Sequence, residues 1–141
     1  DFRGGAIQVC RSLSGSLREA GNSVAILAGC ATPDVPVGAT ERAILDGFPI
    51  WRTNLGDALD AFSPSGFRNP EAQAGFADFL EQVRPDLLHI HGLQGLGVGL
   101  LHAASLARVP VVVTLHDWWW FCPCFRMLPS HIRKWCVVIR V

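Results

Sequence analysis

The fold is decided by residues 85–117, which have the sequence PDLLHIHGLQGLGVGLLHAASLARVPVVVTLHD. Two apolar runs, Leu87–His91 and Val111–Leu115, are predicted strands, and a glycine-rich turn leads from the first into a helix over about Leu96–Arg108. The β-branched second run is typical of a central parallel strand. A strand, a crossover helix and a second strand place both strands parallel in one sheet. We therefore predict that their carboxyl ends lie on one rim.

Outward from this unit, the preceding residues predict another helix and a strand pair. Asn69-Pro70-Glu71 combines a capping side chain, a first-turn proline and an acid, which is a helix start. Asp46-Gly47 favours the tight turn of a hairpin, and Pro49 in its second arm favours an edge strand. The stripe of the helix after Asn69 is Phe76, Phe79, Leu80 and Val83.

The first segment predicts a helix that ends at Gly21, followed by a buried strand at Ser23–Leu27. The apolar stripe of this predicted helix consists of Ala6, Cys10, Leu13 and Leu17, which recur at helical spacing. The alternation of strands and helices predicts an α/β fold, a Rossmann-like, doubly wound and mostly parallel sheet. Because no strand precedes the opening helix, we expect that the first strand of this fold is missing.

Composition narrows the function classes. The 141 residues are 50% hydrophobic, and 12 basic side chains balance 12 acidic ones, which argues against disorder and against general attraction to nucleic acid or anionic lipid. The densest apolar stretch, 109–122, is too short and too polar to span a bilayer. No signal peptide is visible, and five cysteines without a regular framework suggest a reducing compartment. We expect a cytoplasmic location.

The first candidate site is Gly4-Gly5 at a helix start, where free amides and the helix dipole favour phosphate. The alternative is an ordinary tight turn. The glycines at 92, 95, 97 and 99 lack the register of a dinucleotide loop, and we interpret them as close helix–sheet packing.

The second candidate is His89-Ile90-His91, in which residues two apart on a strand face one side. Both imidazoles then face one cleft or one metal, or else one packs in the core and one caps the loop. A second metal hypothesis involves Cys122, Cys124, His131 and Cys136, whose spacing matches no recognised zinc site.

The third candidate is His116-Asp117 at the end of the second strand. Asp117 either orients and charges the imidazole or caps the next turn. The aromatic run 118–121 then supplies rings for the core, for stacking on a sugar or lipid acceptor, or for an interface.

Three motifs together resemble the N-terminal domain of family 4 glycosyltransferases: Gly4-Gly5 before a helix, residues 85–91 and residues 109–118. The resemblance covers about residues 3–123. It implies the GT-B architecture, in which the N-terminal domain receives the acceptor and the C-terminal domain binds the nucleotide sugar. Most members of that family need no metal.

The resemblance also implies roles for single residues. His116 is the catalytic candidate, beside the reacting sugar, and Gly4 and Gly5 lie near the donor phosphates. The binding candidates are Gly4, Gly5, His89, His91, Asp117 and Trp118. We expect no metal and no cofactor, with a nucleotide sugar as co-substrate and a glycan, lipid or small molecule as acceptor. Glycan synthesis for the cell envelope or an exopolysaccharide, and peripheral membrane association of the full-length enzyme, are further expectations.

The chain also departs from the family pattern. We expect that the family's C-terminal domain is missing here, and with it most or all transferase activity of this chain alone. Residues 1–123 form the predicted domain, and 124–141 form an atypical tail, truncated or frameshifted. Two alternatives stay open: a metal-dependent hydrolase that uses the His-x-His motif, and a non-catalytic binding module or gene remnant.

Overall fold

The structure is a computed structural model that describes residues 4–31, 34–56 and 67–120. No described helix is long and apolar enough to cross a membrane. In chain order the elements are α1 (Gly5–Glu19), β1 (Ile26–Cys30), β2 (Thr40–Leu45), β3 (Phe48–Asn54), α2 (Pro70–Val83), β4 (Leu88–Ile90), α3 (Gly99–Leu106), β5 (Val111–Val113) and a 3-10 turn (Trp118–Trp120).

The described strands lie in two sheets. One has the order β1-β3-β2, with β1 parallel and β2 antiparallel to β3. The other pairs β4 with β5 in parallel, with α3 as the crossover between them. The predicted α/β, Rossmann-like fold with mostly parallel strands is therefore confirmed.

The hairpin of β2 and β3 turns where the sequence predicts. Asp46 and Gly47 both have positive φ, 52° and 79°, which matches the turn whose twist suits a hairpin. The edge position predicted for β3 is wrong, because β3 lies between β1 and β2. Pro49 is tolerated there because it faces only Ile44 of β2, and pairing with β1 begins one residue later, at Ile50.

Helix α2 begins as its start signal predicts. The Asn69 side chain caps it by accepting a hydrogen bond from the amide of Ala72 at 3.0 Å. Three residues of its stripe, Phe76, Phe79 and Leu80, are buried, and Val83 is half-buried. Phe79 meets Trp51 of β3 edge to face, with centroids 5.2 Å apart. Most of the core lies between α2, β3 and the segment from β4 into α3.

Two arginine side chains hold helix α1 against the β2–β3 turn. The Arg18 guanidinium lies 4.1 Å from the centroid of the Phe48 ring, and Arg11 pairs with Asp46 at 2.8 Å. Its predicted apolar stripe is only partly covered, since Leu17 is 39% exposed.

Two predictions on strands need correction. The strand after α1 lies at Ile26–Cys30 and not at 23–27, because its partner β3 extends to Asn54 and pairs with Cys30. The side chains of β5, expected to be central and buried, are 38–44% exposed, and among the described strands β5 pairs only with β4. An apolar, β-branched run suits burial on both faces, but its composition does not determine what covers it.

Candidate functional site

The carboxyl ends of β4 and β5 bring together four polar side chains, those of His89, His91, Thr114 and His116. The strands pair in the register His89↔Val112 and Ile90↔Val113, and the amide of Thr114 continues the ladder by donating to the Ile90 carbonyl at 2.9 Å. This register puts His91 level with Thr114, and His116 follows two residues beyond. The prediction that both strand ends lie on one rim is confirmed.

The three histidines at this rim contact one another. Nδ1 of His91 lies 2.9 Å from Nε2 of His116. Nε2 of His89 lies 2.8 Å from the Thr114 hydroxyl. The His91 ring stacks on His89, with centroids 4.3 Å apart, and lies edge to edge with His116, whose ring plane is within 21° of its own at a centroid distance of 5.2 Å. We call His89, His91 and His116 the imidazole cluster.

The cluster disfavours positive charge on its shared member. Burial lowers the pKa of His91, and charge on His89 and His116 lowers it further. A neutral imidazole has one N–H and one lone pair, so it can donate and accept in the same network. The arrangement suits polar contacts to hydroxyl groups at the rim.

Asp117 caps a turn and does not bond the imidazole beside it in sequence. Its Oδ1 accepts a hydrogen bond from the Trp119 amide, and its Oδ2 accepts one from the Gln94 side chain, both at 2.9 Å. Of the two roles that the sequence left open, the cap is the one observed. Gln94 was missed, although it is the only polar side chain in the glycine-rich loop 92–99.

The tryptophan run is divided between core and surface. Trp119 is 3% exposed and stacks on Phe67, with centroids 4.8 Å apart. Trp118 is 54% exposed at the rim, one residue beyond Asp117. Trp118 is the most exposed of the three described rings of this run, and Phe121 lies outside the described residues.

A family model for the glycosyl transferase 4-like domain matches residues 4–137. The chain belongs to this family. The resemblance to an N-terminal glycosyltransferase domain is therefore confirmed, and the alternative of a metal-dependent hydrolase is not supported. No curated protein and no solved structure gives a significant match.

Two earlier predictions about this glycosyl transferase 4-like domain concern residues 121–141 and stay untested. The matched range includes part of the predicted tail, but residues 121–141 lie outside the described residues. The boundary at 123 thus stays a prediction. The second metal hypothesis also falls there, since its residues are Cys122, Cys124, His131 and Cys136.

Gly4 and Gly5 stand at the start of α1, as predicted. Gly4 is the N-cap and is extended, with φ of 166°, and both glycines are exposed. A methyl group on Gly5 would meet nothing within 4 Å, and one on Gly4 would meet only Ile7. Their recorded contacts stay within α1, so their nearness to the imidazole cluster remains a prediction.

The geometry of the imidazole cluster does not favour a shared metal. The rings of His89 and His91 are within 29° of parallel, so their in-plane lone pairs do not converge on one point. One nitrogen of each ring is also engaged, with Thr114 and His116 respectively. Within 4–31, 34–56 and 67–120, no three His, Cys, Asp or Glu side chains are placed to hold a metal ion.

The remaining features of this transferase domain are structural. Gly97 packs closely against the backbone of Phe67 and Asn69, and Gly99 packs against Gln73. The close packing predicted for the glycine-rich loop is found at Gly97 and Gly99, but their neighbour is the start of α2 and not a sheet, so the helix–sheet part of the prediction is wrong for these two glycines. An open groove between α2 and α3, lined by Ala77 and Leu106 among others, contains none of the predicted site residues.

Proposed function

We propose that this glycosyltransferase domain is the acceptor-side half of an enzyme that moves a sugar from a nucleotide sugar to a glycan, lipid or small-molecule acceptor. The imidazole cluster carries the proposal. It stands at the carboxyl ends of parallel strands, where open α/β sheets bind their ligands. It also offers polar ring nitrogens in a half-buried setting, which suits hydrogen bonds to sugar hydroxyls.

His116 is the residue that we propose contacts the transferred sugar or the acceptor. Its ring is half-buried and is held on one side by His91, so its position is restricted before any ligand binds. A polar contact made in a closed, water-poor site stabilises a reacting group more than the same contact in water does. His89 and His91 line the same cleft.

Gly4 and Gly5 are proposed to approach the phosphates of the donor. The φ of Gly4 is one that any residue adopts, and Gly5 is helical. Side chains at both positions would also have room. Neither backbone strain nor packing among the described residues therefore explains the two glycines. Close approach of a phosphate to the amides of the helix start does explain them.

Trp118 is proposed to stack on the acceptor. It presents a large, half-exposed ring beside Asp117, and the flat apolar faces of sugars pack on such rings. Asp117 supports this surface through the turn that it caps.

The proposal assigns donor binding to a C-terminal GT-B domain outside this chain. No metal or cofactor is required, nucleic acid is not a partner, and the enzyme acts in the cytoplasm, with peripheral membrane contact for a lipid acceptor. The chain alone should then lack transferase activity. Incubation with UDP-glucose or GDP-mannose and a panel of sugar acceptors is expected to give no transfer. Robust turnover would contradict the division of labour between the two domains.

Acceptor binding gives the positive test. Mono- and disaccharides are titrated into the labelled chain, and NMR shifts of histidine and tryptophan side chains are followed. We expect shifts at His116 and Trp118, and loss of the Trp118 shift in His116→Ala. His102→Asn is the matched control, because that histidine is exposed on α3, away from the cluster. Shifts confined to the α2–α3 groove, or none for any sugar, would refute acceptor binding at the rim.

A further inference from the structure

The contact between His91 and His116 places a constraint on both rings. Their Nδ1 and Nε2 atoms are 2.9 Å apart, a distance that requires one proton between them. Two N–H groups would collide, and two lone pairs would repel. Both neutral rings therefore carry their proton on Nδ1, or both carry it on Nε2. The tautomer of one ring determines the tautomer of the other.

The contact also decides which atom of His116 faces a ligand. Its Nε2 is engaged with His91, and no partner for its Nδ1 is recorded in the described part of the chain. Since imidazole has only these two nitrogens, a ligand at the rim meets Nδ1. Whether Nδ1 then donates or accepts depends on the tautomer that the pair adopts.

We propose that His91 is a positioning residue that holds His116 by its Nε2 atom and sets its tautomer, so that His116 meets its ligand only through Nδ1. The identity of that ligand as a sugar hydroxyl rests on the proposed function. The hydrogen bond and the matched tautomers do not, because they are properties of the chain without ligand.

The groups around His91 keep the imidazoles of His91 and His116 from both carrying a positive charge. His89 stacks on His91 from β4, and Thr114 of the β5 end holds His89 by its Nε2. Asp117 is engaged with Gln94 and the turn amide, so no recorded contact ties its carboxylate to the cluster. Burial and the neighbouring imidazoles lower the pKa of His91. The pair accepts at most one added proton, because two charged rings would again bring two N–H groups together.

Imidazole ¹⁵N NMR of the labelled chain, without sugar, tests the proposal. We expect a coupling across the hydrogen bond between His91 Nδ1 and His116 Nε2, and the same tautomer in both rings. His91→Leu should abolish the coupling and release His116 into a mixture of tautomers. His91→Asn should restore a hydrogen bond at Nε2 of His116, because its amide places a donor and an acceptor near the lost Nδ1. His102→Asn should change nothing.

Two results would overturn the proposal: different tautomers in the two rings of the unsubstituted chain, or an unchanged His116 spectrum in His91→Leu. The coupling is measured in the unsubstituted chain, so the proposal remains testable if a variant fails to fold. A chain that shows the coupling but binds no sugar would refute the proposed function and leave the role of His91 intact. A merely structural role for His91 predicts no tautomer change at His116.

Discussion

Replacing Asn69 with alanine removes two hydrogen bonds that tie the start of α2 to the loop after β4. Oδ1 of Asn69 accepts from the Ala72 amide at 3.0 Å, and Nδ2 donates to the Gly95 carbonyl at 2.8 Å. Loss of a helix cap costs about 1 kcal/mol. Loss of the second bond leaves the carbonyl of a buried glycine unpaired, which costs about 1 kcal/mol more.

The expected loss in the free energy of unfolding for Asn69→Ala is therefore about 2 kcal/mol, which lowers Tm by roughly 6 °C in a chain of this size. Asn69→Ser keeps a capping oxygen but cannot reach Gly95, so it should lose about half as much. Urea unfolding followed by circular dichroism measures both variants.

The matched control is Asn22→Ala. Asn22 is exposed, and its side chain donates to the Leu17 carbonyl at 3.1 Å. Because that bond competes with water, its removal should stay within about 0.5 kcal/mol. Equal losses for Asn69→Ala and Asn69→Ser would refute a contribution from the Gly95 bond. A loss in Asn69→Ala no greater than in Asn22→Ala would refute the whole estimate.

Three further predictions concern packing, pH and the turn after β5. Gly75→Ala should lower the free energy of unfolding by about 1–3 kcal/mol, because the added methyl group overlaps the Thr40 hydroxyl. Gly15→Ala, on the open face of α1, should raise it by up to about 1 kcal/mol. Equal effects of the two substitutions in urea unfolding would contradict this. Because the pKa of His91 is lowered below its ordinary value of 6.5, its neutral form is favoured on folding, and stability should fall as pH drops through 6.5. Unfolding at about pH 7.5 and 5.5 measures this, and His91→Asn should reduce the difference. Asp117→Ala should cost about 2 kcal/mol by removing the acceptor of two hydrogen bonds, measured as a shift of the urea midpoint; an unchanged midpoint would show that the cap is dispensable.

Local signals in the sequence predicted several elements well. Asp46-Gly47 specifies its turn because both residues tolerate positive φ, and Asn69-Pro70 specifies a helix start because cap and ring act within one turn. These interactions join residues that are close in sequence, so they form without contacts from other parts of the protein.

Pairing between distant segments was harder to predict. A proline confines a strand to the edge of a sheet only where a neighbouring strand would need its missing N–H. At Pro49 no such need arises, because β1 begins to pair with β3 at Ile50. The apolar run of β5 favours burial, but its covering elements lie elsewhere in the fold. The bounds of β1 differ from the predicted ones for the same reason, since a strand extends as far as its partner does.

At the site, the sequence alone determined that histidines end two parallel strands, because a βαβ unit puts both carboxyl ends on one rim. Which groups bond there depended on the tertiary structure. Asp117 opens the turn at Trp118–Trp120, and its carboxylate accepts from the Trp119 amide of that turn instead of contacting the imidazole beside it. The register of β4 on β5 brought His91, 25 positions away, to the imidazole of His116.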